Sequence, residues 1–165
     1  MDFVKRKTVR LKGYDYNSSG YYFITFCTKE KQKLLCDIIG TGVLDGPQTR
    51  LTAYGEIARK HLDIMSDFYD DLKVEKYVIM PNHVHLLIHV LKNGNVPAET
   101  LTSTNSKVSM FVSTFKRFCN KEYGMNILQS RSNDHIIRGE QDYMKIWEYI
   151  DNNPAKWADD CFYIE

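Results

Sequence analysis

The sequence lacks the patterns of a disulfide-stapled protein, a paired-cysteine zinc protein and a membrane protein. Its four cysteines are widely scattered and form no CxxC pair, which argues against a disulfide framework and a zinc knuckle. No apolar run approaches the roughly 20 residues that a membrane helix needs. A surplus of one charge is also missing, because 22 basic and 21 acidic residues leave a net charge of +1. Any binding of nucleic acid must therefore come from a local basic patch.

The composition that is present fits a single globular domain over residues 1–165. Apolar residues make up 43% of the chain and charged residues 26%, which is ordinary for a soluble protein. The basic N-terminus is not followed by the apolar stretch of a secretory signal. We therefore expect a cytoplasmic protein whose cysteines are reduced structural thiols.

The order of local patterns predicts an α+β fold. A ferredoxin-like, split βαβ antiparallel sheet requires strand, helix, strand, strand, helix, strand, and here a C-terminal helix follows. Residues 33–47 contain three glycines and a proline, which predict a loop or hairpin. The predicted elements are a strand at 21–28, a helix at 51–69 capped by Thr52, two strands around Pro81-Asn82, a helix at 107–124, a weaker strand within 126–138 and a helix at 140–153.

Each predicted helix has an apolar stripe at three- and four-residue spacing. In the second helix, three basic residues are expected to lie off the stripe. The stripes are Ile57, Leu62, Ile64, Met65 and Phe68; then Val108, Phe111, Val112, Phe115 and Phe118, with Lys116, Arg117 and Lys121 off it; and finally Tyr143, Ile146, Trp147 and Ile150.

A histidine pair stands on one of the predicted strands. Side chains alternate along a strand, so His83 and His85 share one face while Val84 lies on the other. Two imidazoles on a rigid strand can bind one divalent ion. Polar residues on a half-exposed face are the alternative. His89 shares the face, but roughly 13 Å of backbone separates it from His85, which makes it peripheral.

A tyrosine and an asparagine lie one turn apart on the last helix. Tyr149 and Asn153 are four residues apart and therefore share a face. Asn153 offers an oxygen ligand, and the phenol of Tyr149 is a potential nucleophile. Helical geometry turns Tyr149 about 120° from Tyr143 and about 160° from Trp147. A packed aromatic residue is the alternative.

Two basic clusters are candidates for phosphate contacts, although ordinary solvated charge explains each residue taken alone. They are Lys5, Arg6, Lys7, Arg10 and Lys12 at the N-terminus, and Lys107, Lys116, Arg117 and Lys121 in the second helix.

The segment YVIMPNHVHLLIHV resembles the signature of the REP-associated tyrosine transposases, which are relatives of the single-tyrosine HUH transposases of bacterial insertion sequences. The resemblance covers most of the chain. It extends, in the same order, to RLKGYDYNSSGYYFITFCT, SMFVSTFKRFCNKEYG and NDHIIRGEQDYMKIWEYIDNNPAKW.

This resemblance implies an activity and a set of roles. His83 and His85 would bind magnesium or manganese, Asn153 would complete the metal site, and Tyr149 would attack DNA. Such enzymes cut single-stranded DNA at or next to a hairpin, leaving a 5′-phosphotyrosine and a free 3′-OH. Family members act as monomers or as homodimers, and the sequence leaves this choice open.

Two further roles follow from the same resemblance. The segment with Arg10, Lys12 and Tyr14 would contact DNA near the hairpin foot, or would only cover a sheet edge. Arg138 would hold a phosphate, or would form a structural salt link.

Two other functions compete with the transposase interpretation. One is an inactive descendant that binds hairpins without cutting them, although His83, His85, Tyr149 and Asn153 are all present. The other is an RNA-binding ferredoxin-like domain that stacks bases on sheet aromatics such as Tyr22 and Phe26.

Overall fold

A computed structural model describes residue 14 and residues 18–40, 46–91 and 106–164. The predictions for Lys5, Arg6, Lys7, Arg10 and Lys12 lie outside these residues. In chain order, the elements are β1 (Gly20–Cys27), β2 (Cys36–Ile39), β3 (Gln48–Leu51), α1 (Ala53–Phe68), β4 (Leu72–Ile79), β5 (His83–Val90), α2 (Lys107–Tyr123), β6 (Asn133–Ile136) and α3 (Glu140–Asn152), and a 3-10 turn (Pro154–Asp159) follows α3.

The main sheet has four antiparallel strands in the order β4-β5-β1-β6. Strand β5 lies between β4 and β1 and is antiparallel to both, so β1 and β4 run parallel to each other. Because α1 connects these two strands and β5 separates them, they form a split βαβ unit. Strands β2 and β3 form a separate hairpin from the segment predicted as a loop or hairpin. The α+β prediction is confirmed, and the histidine-bearing strand is central.

One face of the sheet packs against α1 and α2 and forms the main core. Thr52 caps α1 by accepting a hydrogen bond from the amide of Gly55 (3.2 Å). Gly124 ends α2 in the left-handed conformation, with φ of 70°. The buried side chains of this core include Tyr22, Ile24, Phe26, Leu62, Val84, Leu86, Ile88, Phe111 and Phe115.

The predicted stripe of α1 was wrong at two positions. Ile64 is 54% exposed and Phe68 is 80% exposed. The buried side of α1 consists of Gly55, Ala58, Leu62 and Met65. With 3.6 residues per turn, Ile64 and Phe68 lie about 140° and about 100° from the centre of that side. Phe118 of α2 is likewise 39% exposed at the margin of its helix stripe.

The other face of the sheet is covered by α3. Ile150 of α3 is buried with Leu87 and Ile137, and Tyr143, Ile146 and Trp147 pack around them. The predicted stripe of this helix is therefore confirmed. None of the helices in the described ranges is long and apolar enough to cross a membrane. The α3 face is the one on which His83 and His85 lie.

Candidate catalytic and metal site

His83 and His85 are buried side by side on β5. They are 0% and 1% exposed, and their ring centroids are 4.5 Å apart, so the alternative of a half-exposed polar face does not hold. Burial lowers the pKa of His83 to about 4 and that of His85 to about 2. Both rings are therefore neutral at physiological pH, which is the form that binds metal ions.

Hydrogen bonds orient both rings in the same way. The side-chain amide of Asn82 donates to the carbonyl oxygen of Phe162 (2.8 Å), so its own Oδ1 faces Nδ1 of His83 at 2.9 Å. Because Oδ1 only accepts, Nδ1 of His83 carries the proton and Nε2 carries the free lone pair. Oγ1 of Thr25 lies 2.7 Å from Nδ1 of His85 and can support the same tautomer.

Tyr149 reaches this pair from α3. Its hydroxyl lies 3.3 Å from Nε2 of His85 and donates to Oδ2 of Asp160 at 3.2 Å. The ring packs edge-on against Phe23 and His85 and is 38% exposed, at the rim of the site. Burial, followed by the charge of Asp160, raises the pKa of Tyr149 to about 12. The phenol is therefore fully protonated at neutral pH.

Asn153 lies directly after α3 and is 2% exposed. Its amide nitrogen donates to Oδ2 of Asp160 at 3.0 Å. Its Oδ1 and Nε2 of His83 are buried without a hydrogen-bond partner among the described residues. Leaving buried polar atoms unpaired is costly, and a cation bound between them would satisfy both. The residues present therefore fit a divalent ion.

Asp160 is the residue that the sequence analysis missed. Its carboxylate lies 4.0 Å from Nε2 of His83, and its side chain is 2% exposed. The ligand atoms of His83, His85 and Asp160 all lie within 4.8 Å of one another. Two imidazoles and a carboxylate are ligands suited to a divalent metal ion. The only signal in the sequence was an aspartate pair in the short tail after Pro154, a weak one.

His89 lies outside this cluster, as predicted. Its ring stacks on Tyr21 with centroids 4.1 Å apart, and its Nδ1 is 3.5 Å from Glu75.

Tyr14 and Arg138 have different surroundings. Tyr14 packs edge-on against Tyr22, and the two hydroxyls are 3.4 Å apart. Arg138 is exposed just before α3, and its backbone amide donates to Asp142 (3.0 Å). Within the described ranges its guanidinium pairs with no acidic side chain, so the structural salt link considered for it is not formed there.

Lys116, Arg117 and Lys121 lie on α2, which packs on the sheet face opposite Tyr149. The expectation that Lys116 lies off the buried side was wrong, because it is 8% exposed. Its ammonium lies 5.2 Å from the ring of Phe26 and donates to the carbonyl oxygens of Ser130 (3.4 Å) and Arg131 (3.0 Å). Burial lowers the pKa of Lys116 to about 8.

The proposed RNA-stacking platform is not available. Tyr22 and Phe26 are 0% and 1% exposed and belong to the core beneath α2. The two aromatic residues cannot stack on bases without unpacking that core.

Comparison with known proteins gives a sequence relative and a structural one. No family model matches the chain. An uncharacterized protein of Haemophilus influenzae is 31% identical over 175 aligned positions, which cover 97% of this chain and 94% of that protein. The two proteins belong to one family.

One structural relative is the REP-associated tyrosine transposase bound to a REP hairpin. The match has a TM-score of 0.63 at 20% identity and covers 90% of this chain and 74% of that chain. The chain has the REP-associated tyrosine transposase fold. Within this transposase fold, β5 and α3 are the elements that bring His85 and Tyr149 together.

Proposed function

We propose that the chain is a metal-dependent single-stranded DNA endonuclease and strand transferase, a transposase that cleaves next to DNA hairpins with Tyr149 as nucleophile. The observation that carries the proposal is the 3.3 Å approach of the Tyr149 hydroxyl to Nε2 of His85, inside a buried cluster with ligand chemistry. The fold shared with a transposase that was solved on a REP hairpin supports DNA of that kind as the substrate.

The metal ligands would be His83 and His85, joined by Asp160 and by Oδ1 of Asn153. A magnesium or manganese ion held there would supply electrophilic help to the phosphate and would ease loss of the phenol proton. Imidazole nitrogens favour manganese over magnesium, so manganese should act at the lower concentration.

The chain's own groups would position and deprotonate the nucleophile. Asp160 and His85 hold the hydroxyl of Tyr149 from two sides. In the reaction, the phenol oxygen forms a bond to the phosphorus and the bond from phosphorus to the 3′-oxygen breaks. The phenol proton passes along its hydrogen bond to Asp160, and the departing 3′-oxygen takes up a proton from solvent water. The products are a 5′-phosphotyrosine and a free 3′-OH.

Strand transfer is the same reaction run backwards with another 3′-OH. A phosphodiester and a phosphotyrosine ester are of similar energy, so rejoining needs no nucleotide cofactor. The sequence has no P-loop motif, in agreement with this chemistry. Because one chain contributes His83, His85, Tyr149 and Asp160, the proposed reaction does not require a second copy.

The test is a covalent adduct. The protein is incubated with end-labelled hairpin DNA carrying single-stranded flanks and with manganese, and is then denatured and separated by electrophoresis. We expect a labelled band at the mass of protein plus DNA, and Tyr149→Phe should abolish it because the nucleophilic oxygen is gone.

The matched control is Tyr143→Phe, which removes a phenol oxygen from the packed side of the same helix. This variant should keep the adduct. Loss of the band with Tyr143→Phe and its retention with Tyr149→Phe would show that the nucleophile is misassigned, and binding without any adduct would favour the catalytically silent descendant.

A further inference from the structure

A second feature of the molecule is a groove beside α2, away from Tyr149. It has a volume of about 1350 Å³ and runs between α2 and the segment that leads towards β6. We call it the basic groove. Its lining includes the exposed cations Lys29, Arg117, Lys121 and Arg131, with the buried Lys116 below them and with Ser113, Asn120, Asn126, Gln129, Ser130 and Ser132 between them.

The exposed cations of the basic groove are not neutralised locally. Within the described part of the chain, none of Lys29, Arg117, Lys121 and Arg131 forms an ion pair, and no acidic residue lines the groove. Several cations elsewhere are paired, as Lys60 is with Glu122 (2.9 Å) and Lys107 with Asp71 (2.7 Å). In a chain with a net charge of only +1, this is a concentrated positive surface.

We propose that the basic groove binds the sugar–phosphate backbone of a paired DNA stem. The inference rests on the proposed function only in taking DNA as the partner. Lysine, arginine, hydroxyl and amide side chains are the groups that contact phosphates in protein–DNA complexes, and such contacts position the duplex without reading its sequence. The groove is many times larger than one phosphate or one base.

The lining selects a paired stem over an unpaired strand. Proteins that bind single strands stack the bases on exposed aromatic rings. The described lining of the basic groove contains no aromatic residue, and its apolar members are Val112, Met125 and Leu128. The groove can therefore attract phosphates but offers no ring on which an unpaired base would stack.

The basic groove and the catalytic cluster lie at the same end of the sheet, on opposite faces. Cys27, at the end of β1, pairs with His83 on β5. Two residues later the chain reaches Lys29, which lines the groove and whose backbone amide donates to the carbonyl of Ile127 (2.7 Å), between the groove residues Asn126 and Leu128. Two extended residues span roughly 7 Å. The end of β1 therefore connects the lining of the groove with the strand that carries His83.

The test measures binding without chemistry. Tyr149→Phe protein in EDTA is titrated into a fluorescent DNA hairpin at several salt concentrations, and affinity is followed by anisotropy. Each phosphate contact contributes about one unit to the slope of log affinity against log salt. The double substitution Arg117→Ala with Lys121→Ala should therefore reduce the magnitude of this negative slope by about two and weaken hairpin binding at least tenfold at low salt.

The matched control is Arg59→Ala with Lys60→Ala, two cations on α1 that are already paired with Glu56 and Glu122. It removes the same charge and should leave the slope unchanged. An equal reduction of the salt slope in both double variants would mean that net charge alone acts. An unchanged slope in the variant that lacks the Arg117 and Lys121 charges would overturn the proposal. An unpaired strand bound with the same affinity and slope as the hairpin would overturn the assignment to a stem.

Failure of the groove and failure of the proposed function are distinguishable. If the covalent adduct proves not to depend on Tyr149, but the salt dependence of hairpin binding still depends on Arg117 and Lys121, the groove proposal stands and the proposed nucleophile is wrong. A tyrosine-dependent adduct with an unaltered salt slope would leave the reaction standing and remove the groove.

Discussion

The catalytic cluster and the basic groove use polar groups in opposite ways. In the cluster, His83 and His85 are buried and neutral, and neighbouring side chains set their orientation. In the groove, Arg117, Lys121 and their neighbours are exposed, and no acidic partner fixes them within the described residues. The first arrangement gives fixed geometry, and the second gives long-range attraction for a polyanion.

The difference teaches which variable should affect each region. Buried groups respond to proton binding and to the loss of a single contact, since no water replaces that contact. Binding through exposed charges responds to ionic strength, and its salt dependence is proportional to the number of charges that contact phosphates. Experiments that vary one factor at a time should therefore separate the two regions.

The largest effect is expected from His85→Ala. This change removes a proposed metal ligand that lies 3.3 Å from the Tyr149 hydroxyl, so the rate of adduct formation should fall by about a thousandfold. Manganese affinity, measured by calorimetry, should fall with it, while hairpin binding in EDTA should stay the same. A loss of hairpin binding of similar size would mean that the two regions are not independent.

The control for this experiment is His89→Ala. His89 lies on the same face of β5 but stacks on Tyr21, outside the cluster. Its removal should leave both manganese affinity and adduct formation unchanged. An equal loss in the two variants would point to general damage to the sheet.

A smaller effect should follow from Thr25→Val, which keeps the side-chain shape and removes the group that orients His85. Loss of such an orienting hydrogen bond lowers metal affinity about 10- to 100-fold. Thr25→Ser keeps the hydroxyl and should retain most of the affinity. Similar losses in both variants would show that packing, rather than the hydrogen bond, explains the result.

Acid should destabilise the metal-free protein through the same cluster. The pKa values of His83 and His85 are lowered on folding, to about 4 and about 2, so the unfolded chain binds more protons below about pH 6.5. The free energy of unfolding should therefore fall between pH 6.5 and 5, by at most about 1.4 kcal/mol per pH unit for each histidine.

Urea unfolding at fixed ionic strength checks this dependence. His85→Asn removes one of the two titrating rings and should flatten the curve in the same pH range. A variant whose stability depends on pH as steeply as the wild type would contradict the role assigned to His85.

The sequence predicts most of the fold because the decisive patterns are local. Alternation along β5 placed His83 and His85 opposite Val84, and helical spacing turned Tyr149 away from Tyr143. The structure places the two histidines in this way, whereas Tyr149 lies at the rim of the face that α3 covers and packs edge-on against Phe23 and His85. The exposed Ile64 and Phe68 show the limit of this reasoning, since an apolar side chain at a margin of the helix stripe need not find cover.

The missing part of the site is Asp160, and its position depends on contacts between distant parts of the chain. The tail after α3 has no periodic pattern. It is held by the hydrogen bond from Asn82 to Phe162 and by the packing of Trp157 and Phe162 against His83. No spacing rule relates residue 160 to residues 82 and 83, so the carboxylate could not be placed from the sequence.

The smallest expected effect comes from Lys116→Met. This variant distinguishes the buried cation of the basic groove from its exposed cations. The ammonium of Lys116 already donates to two backbone carbonyls, so it offers little to a phosphate. Methionine removes the cost of burying a charge but leaves those carbonyls unpaired, and the two terms should nearly cancel to within about 1 kcal/mol. The salt slope of hairpin binding should fall by less than for Arg117→Ala. An equal fall would show that Lys116 leaves its carbonyls to contact DNA, and that burial in the free protein does not identify which cations bind phosphate.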